Sequence, residues 1–222
     1  MKASTRTPAV LPLAALAVLG LGLPACSTTG VARTAATMSK MDELEAYVGK
    51  ARRSLADTLA ALDEVQNTSG TDPGPAFSRF SNGVENVRST ADAIPRRAFA
   101  MKDQAAKHDE AWLRETSAIQ DPSLRQKAEE RRASTMQRFE AMGAKALAVK
   151  TAYEPLIQRL RDMQVFLSND LNPTGIAAIR VQVAGVKDEA DGVDKALDAL
   201  AKEIAEVRVA MSPRQTGSGR GN

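Results

Sequence analysis

One cysteine, one histidine and one tryptophan are all that this chain of 222 residues holds of those three types. A single cysteine closes no disulfide within the chain and builds no thiolate metal cage. The single histidine, His108, has no second imidazole with which to share a metal ion or a catalytic proton. Aromatic residues make up only 4 % of the chain while alanine is abundant, which argues against a β-sandwich and for helices. Charge of one sign is also missing. Thirty basic residues face 27 acidic ones. Residues 1–25 hold Lys2 and Arg6 and no acid, so the remainder carries 28 against 27. That balance gives no basic footprint for nucleic acid and no polybasic signal for anionic lipid. Glycine-rich phosphate loops, nucleophile elbows and paired acid/base signatures do not occur. The expectation is a chain without catalytic, cofactor-binding or metal residues.

The lone cysteine sits at an informative place. Lys2 and Arg6 precede an apolar run from Pro8 to Ala25, and Leu23-Pro24-Ala25-Cys26 closes it. A basic start, a short apolar core and small residues at the end read as a secretory signal. With cysteine next, the segment is similar to a bacterial lipobox. That resemblance implies cleavage before Cys26, lipidation of its sulfur and acylation of the new N-terminus. The alternatives are a plain signal peptide or a membrane helix that ends in cysteine. A spanning helix needs about 20 apolar residues, and Pro12, Gly20, Gly22 and Pro24 interrupt this shorter run. Several acyl chains hold a protein firmly where one gives marginal binding. Ser27 after the cysteine favours the outer membrane over the inner. The expected plan is a lipoprotein signal peptide over 1–25, a tether over 26–38, a helical domain over 39–211 and a disordered tail over 212–222.

Past the small polar residues of the tether, Ser39 and Asp42 resemble a helix-capping signal. Apolar residues then recur in steps of three and four. Met41, Leu44, Val48, Ala51, Leu55, Leu59, Leu62 and Val65 form a first stripe. After a turn-rich break at 67–75, a second runs Phe77, Phe80, Val84, Val87, Ala91, Ile94, Ala98, Met101, Ala105, His108, Trp112, Ile119. Asp121-Pro122 stops it, with Asp121 placed to cap the next helix and Pro122 in its first turn. A third stripe includes Leu124, Ala128, Phe139, Met142, Ala146, Val149, Tyr153, Leu156, Leu160, Met163 and Leu167. Asn172-Pro173-Thr174-Gly175 marks the last turn. The fourth stripe runs from Ile176 through Val183, Val193 and Leu200 to Met211.

A 3.5-residue period held through four segments is the mark of coiled-coil packing. Folding the chain back at each break brings stripe positions face to face: Leu62 to Phe80, Met101 to Met142, Leu160 to Val183. The predicted fold is all-α, an antiparallel four-helix coiled-coil-like bundle with a projecting helical hairpin. Residues 41–65, 77–101, 142–166 and 177–201 share one level, a body about 37 Å long at 1.5 Å per residue. Residues 102–140 project beyond it by about 30 Å, flanked at the base by the end of the fourth helix. Pro95 and Pro155 fall inside helices, where a proline costs about 3 kcal/mol and bends the axis. The register brings them near one another and predicts one shared bend.

Each residue that invites chemistry has a plainer reading. His108 on a stripe reads as a structural polar layer that fixes register, with a pH-sensitive or binding role as the alternative. Asp188, Glu189, Asp191, Asp194 and Asp198 lack calcium-loop spacing and read as a solvated helix face. The Arg-Arg pairs at 52–53, 96–97 and 131–132 read as surface ion pairs rather than a phosphate site. Trp112 reads as core.

The order of these features resembles a family of uncharacterised bacterial lipoproteins, domain-of-unknown-function family 2959. The matching segments are the lipobox, Asp121-Pro122-Ser123-Leu124-Arg125, Tyr153-Glu154-Pro155-Leu156 and, above all, Met163 to Asn172 followed by Ile176-Ala177. The resemblance supplies no activity or site residues. The expected function is a non-enzymatic lipoprotein of the bacterial envelope, anchored at Cys26 and facing the periplasm, that acts as a helical structural or interaction module. Its expected partners are the membrane, through lipid, and an envelope protein or a second copy, with no nucleic acid. The alternative is binding of a lipid or small hydrophobic ligand within the bundle, through space left by alanine layers such as Ala91, Ala98 and Ala105.

Overall fold

The computed structural model describes residues 30–68 and 72–212. Four helices account for nearly all of them: α1 Gly30–Gln66, α2 Gly74–Ser117, α3 Pro122–Asn169 and α4 Pro173–Met211. Each packs on the next, and α4 returns to α1, with no packing across the diagonals. Ion pairs between neighbours fix the directions. Arg52 and Asp198, Asp63 and Lys187, and Asp42 and Arg208 join α1 to α4 with opposed numbering. Lys102 with Glu140 and Asp92 with Lys150 do the same for α2 and α3. The result is an antiparallel four-helix bundle with up-down-up-down topology.

The seams are the predicted stripes. From Phe139 to Leu167, and along the whole of α4 from Ile176 to Met211, every stripe residue is buried in one continuous core. Tyr153, Phe80, Phe139, Met41, Leu44 and Leu62 are among its largest members. In α1 the pattern shifts once. Leu59 is only partly buried, and Thr58 is fully buried. Thr58 can take a seam position because its hydroxyl donates to the Ser54 carbonyl at 2.6 Å, and because Gly83 stands opposite. A Cβ on Gly83 would lie 2.6 Å from the Thr58 hydroxyl oxygen. Helices α1 and α2 approach closely there, and only a residue without a side chain fits.

Local chemistry ends the helices where the breakers stand. The Asp121 carboxylate accepts from the backbone N–H groups of Ser123 at 2.8 Å and Leu124 at 2.9 Å, with Pro122 in the first turn of α3. Asn172 Oδ1 accepts from Thr174 N at 2.9 Å and Gly175 N at 3.0 Å, with Pro173 in the first turn of α4. Both caps satisfy amides that a helix start leaves without intrahelical partners. Pro95 and Pro155 lie inside continuous helices, Pro95 buried and Pro155 exposed.

Two differences from the sequence reading concern the ends. Residues 30–38, read as tether, are the first turns of α1. Ala32, Ala35 and Ala36 favour helix, and the Thr37 hydroxyl donates to the Arg33 carbonyl at 3.1 Å, so Thr37 is fully buried without an unpaired hydroxyl. These turns follow α2 as far as an ion pair between Arg33 and Glu115. The projecting hairpin is therefore not bare. It passes the end of α4, where Met211 reaches the level of His108 and Thr135, and α1 accompanies it almost to its tip. Leu124, read as a stripe residue, is exposed there. The signal segment 1–25, Cys26 and the tail from 213 onward lie outside the described residues.

Candidate functional site

At the hairpin end, three helices and the end of α4 surround a small cavity of about 160 Å³. Arg33 and Thr34 of α1, His108, Trp112 and Glu115 of α2, Arg131 and Thr135 of α3, and Met211 of α4 line it. His108 meets Trp112 edge to face at 5.7 Å between ring centroids, and the Arg131 guanidinium lies 5.9 Å from the Trp112 ring. The Nε2 atom of His108 is buried without a hydrogen-bond partner. Burial, then the Arg33 charge, holds the imidazole below its ordinary pKa, while Glu115 and Asp109 act in the opposite sense. Thr135 lines the same cavity as His108, and its hydroxyl is spent on the Arg131 carbonyl at 2.9 Å. Trp112 is half-buried rather than core.

A larger groove of about 670 Å³ runs along the outer seam of α3 and α4 towards their connecting turn. Met163, Phe166, Ala178 and Ile179 give it an apolar floor. Arg159 crosses one side, donating to the Glu189 carboxylate at 2.7 Å through Nη2 and to Gln182 Oε1 at 3.0 Å through Nη1. Pro155 lines the same groove, and Phe166 is 41 % exposed. Ala91, Ala98 and Ala105, the alanine layers expected to leave space, are all buried in the continuous core.

The remaining sequence candidates resolve into packing. Asp188, Asp191, Asp194 and Asp198 are exposed on α4, and Glu189 is held by Arg159. Among the described residues no three metal-ligating side chains converge. The arginine pairs divide their work. Arg52 pairs with Asp198 and Arg132 with Asp109, while Arg97 lies 4.0 Å over the Tyr47 ring and Arg131 over Trp112. The hydroxyl of fully buried Tyr153 has no hydrogen-bond partner. Burial, with the Asp194 charge, raises its pKa well above the usual phenol range, and Arg52 only partly opposes this. Sequence reasoning missed the roles of Arg33 and Thr37. The alanines at 32, 35 and 36 were the available signal.

Cys26, the predicted lipidation residue, precedes Gly30 by four residues, so the start of α1 fixes where that segment joins the fold. A family model described as "Protein of unknown function (DUF2959)" matches residues 24–211. The chain belongs to this family. The match begins two residues before Cys26 and ends on Met211, the last residue of α4, so the DUF2959 unit takes in the cysteine and all four helices. No curated protein matches the chain.

Proposed function

We propose that this DUF2959 chain is a lipoprotein of the bacterial cell envelope. In this reading it is anchored by acyl chains on Cys26, and its helical rod serves as a structural or interaction module facing the periplasm. The observation that carries the reading is the run from Lys2 to Cys26: a basic start, an apolar stretch and Leu23-Pro24-Ala25-Cys26. Signal segments of this kind are removed on export, and a cysteine left at the new N-terminus is the acceptor for lipid. The Ser27 that follows favours the outer membrane. The rod itself supports a mechanical or docking role. Its interior is one continuous apolar core from the α1–α2 and α3–α4 turns to the base of the hairpin, and no described helix is long and apolar enough to cross a membrane.

The test is mass spectrometry of the mature chain, with membrane fractionation of Cys26→Ser. The expected result is a chain that begins at Cys26 and carries the mass of the acyl groups, and a Cys26→Ser chain that leaves the membrane fraction. A mature chain with an unmodified cysteine would refute the reading.

A second reading, binding of a lipid or small hydrophobic molecule, draws on the α3–α4 groove. Its apolar floor and its polar residues from both helices suit a ligand with a short apolar body and a polar group. Native mass spectrometry of Cys26→Ser would show a co-purifying ligand that Ile179→Arg abolishes.

A further inference from the structure

We infer that the α2–α3 turn, with the first turns of α1 beside it, is the end of the rod that rests on the lipid surface, and that the other two turns face away from it. The inference rests on the lipid-anchor reading and adds an orientation to it. Four Cα steps separate Cys26 from Gly30, a reach of at most about 14 Å. Helix α1 begins at Gly30. The Arg33–Glu115 ion pair puts that opening level with the last turn of α2. An acyl group on Cys26 therefore holds the hairpin tip within about 14 Å of the bilayer, fewer than three turns of helix. The α1–α2 and α3–α4 turns lie at the opposite end. The 48 residues of α3 set them about 70 Å away.

The tip suits a lipid surface by its chemistry. Leu113 is 49 % exposed and Leu124 56 % exposed, one on each side of the turn. Residues 113–131 carry four basic and four acidic side chains, so attraction to anionic headgroups plays no part. The turn is held in one shape. Asp121 caps α3, and the Arg125 guanidinium donates to the Ile119 carbonyl through Nε at 2.9 Å and Nη2 at 2.6 Å. The leucines are thus presented by two helix ends joined through a fixed turn rather than by a segment that must order on contact. Trp112 is the only tryptophan of the chain and lies just above this level. The α3–α4 groove, by contrast, sits about 50 Å or more further out, clear of the lipid and open to the compartment.

The test uses the acylated full-length protein in phosphatidylcholine–phosphatidylethanolamine vesicles. A thioether at Cys26 leaves an introduced cysteine as the one free thiol, so Leu124→Cys and Asp72→Cys each take one environment-sensitive fluorophore. Both positions are exposed, and circular dichroism checks that each variant is folded. The expected result is a blue-shifted Leu124 label quenched at least threefold more by brominated lipid than the Asp72 label. Equal quenching, or stronger quenching at Asp72, on vesicle-bound protein overturns the orientation and leaves the anchor reading standing. A Leu124 label that is blue-shifted but untouched by brominated lipid is covered by protein, a second copy or another chain, and also overturns it. A chain that carries no acyl mass and stays off the vesicles overturns both readings.

Discussion

Replacing Tyr153 by phenylalanine should make this protein more stable. Tyr153 is the largest side chain buried completely in the core, and its hydroxyl has no hydrogen-bond partner. Stripping water from a hydroxyl without a replacement partner costs about 1–3 kcal/mol. Phenylalanine keeps the ring and its packing, so the substitution removes the penalty without opening a cavity. A gain of about 1 kcal/mol is expected, which in a chain of this size raises the thermal midpoint by roughly 2–4 °C. Tyr153→Ala sets the scale, since losing the ring as well should cost about 3–5 kcal/mol. Chemical denaturation of both variants, with unchanged slopes, measures the two values. Loss of more than about 1 kcal/mol in Tyr153→Phe would refute the reasoning and mean that the hydroxyl is bonded in solution, by a buried water or by a shifted Asp194.

The same residue gives an independent reading at high pH. Burial holds the proton on Tyr153 where the unfolded chain releases it near the ordinary value of 10.0. Above that value the unfolded state binds fewer protons than the native one, so stability falls as pH rises. Tyr153→Phe should remove that part of the decline, which denaturation at pH 8 and pH 10.5 would show.

Three further outcomes follow from other sites. Gly83→Ala should destabilise by about 1–3 kcal/mol, because the new methyl group meets Thr58 at 2.6 Å; Thr58→Ala should recover most of the loss, and Gly192→Ala, which meets nothing within 4 Å, should instead gain up to about 1 kcal/mol by helix propensity. Thermal midpoints of Gly83→Ala, of Gly83→Ala combined with Thr58→Ala, and of Gly192→Ala decide this. His108 resists protonation in the fold, so the unfolded state takes up the extra proton and stability falls as pH drops below about 6.5. His108→Leu should flatten the midpoint between pH 5 and pH 7, and an unchanged slope would place the titrating group elsewhere. Asp121→Ala should cost about 1 kcal/mol and speed hydrogen exchange at Ser123 and Leu124 while leaving Tyr153 and its neighbours protected.

The seams of the bundle could be read from the sequence because they obey one rule along their whole length. A buried position every three or four residues leaves the same trace in the sequence whichever partner covers it. Val149, Leu160, Val186 and Leu200 are all buried as their spacing requires. The turns were legible for another reason. Asp121-Pro122 and Asn172-Pro173 pair a capping side chain with a residue that cannot continue the preceding helix, so the stop and the start are written in neighbouring positions. The start of α1 carried no such mark. Ser39 and Asp42 look like a cap, yet nothing ends the helix before them, and residues 30–38 are helical because α2 supplies a surface and Glu115 a partner for Arg33. That information lies some eighty residues away in the chain.

Thr58 shows the same limit in the core. A threonine read alone is polar, and the leucine beside it is the better stripe residue. Only the glycine at position 83, brought opposite where α2 packs antiparallel on α1, makes threonine the side chain that fits. Its hydroxyl is satisfied inside its own helix at Ser54, so burial there costs little. Periodicity thus identifies which face of a helix is covered, while the length of the covered stretch and the closeness of approach depend on the partner. The ends of the rod, where the anchor would join and the hairpin turns, are where partner effects outweigh periodicity. This is why the hairpin end, rather than the regular body, carries the orientation inferred for the whole molecule.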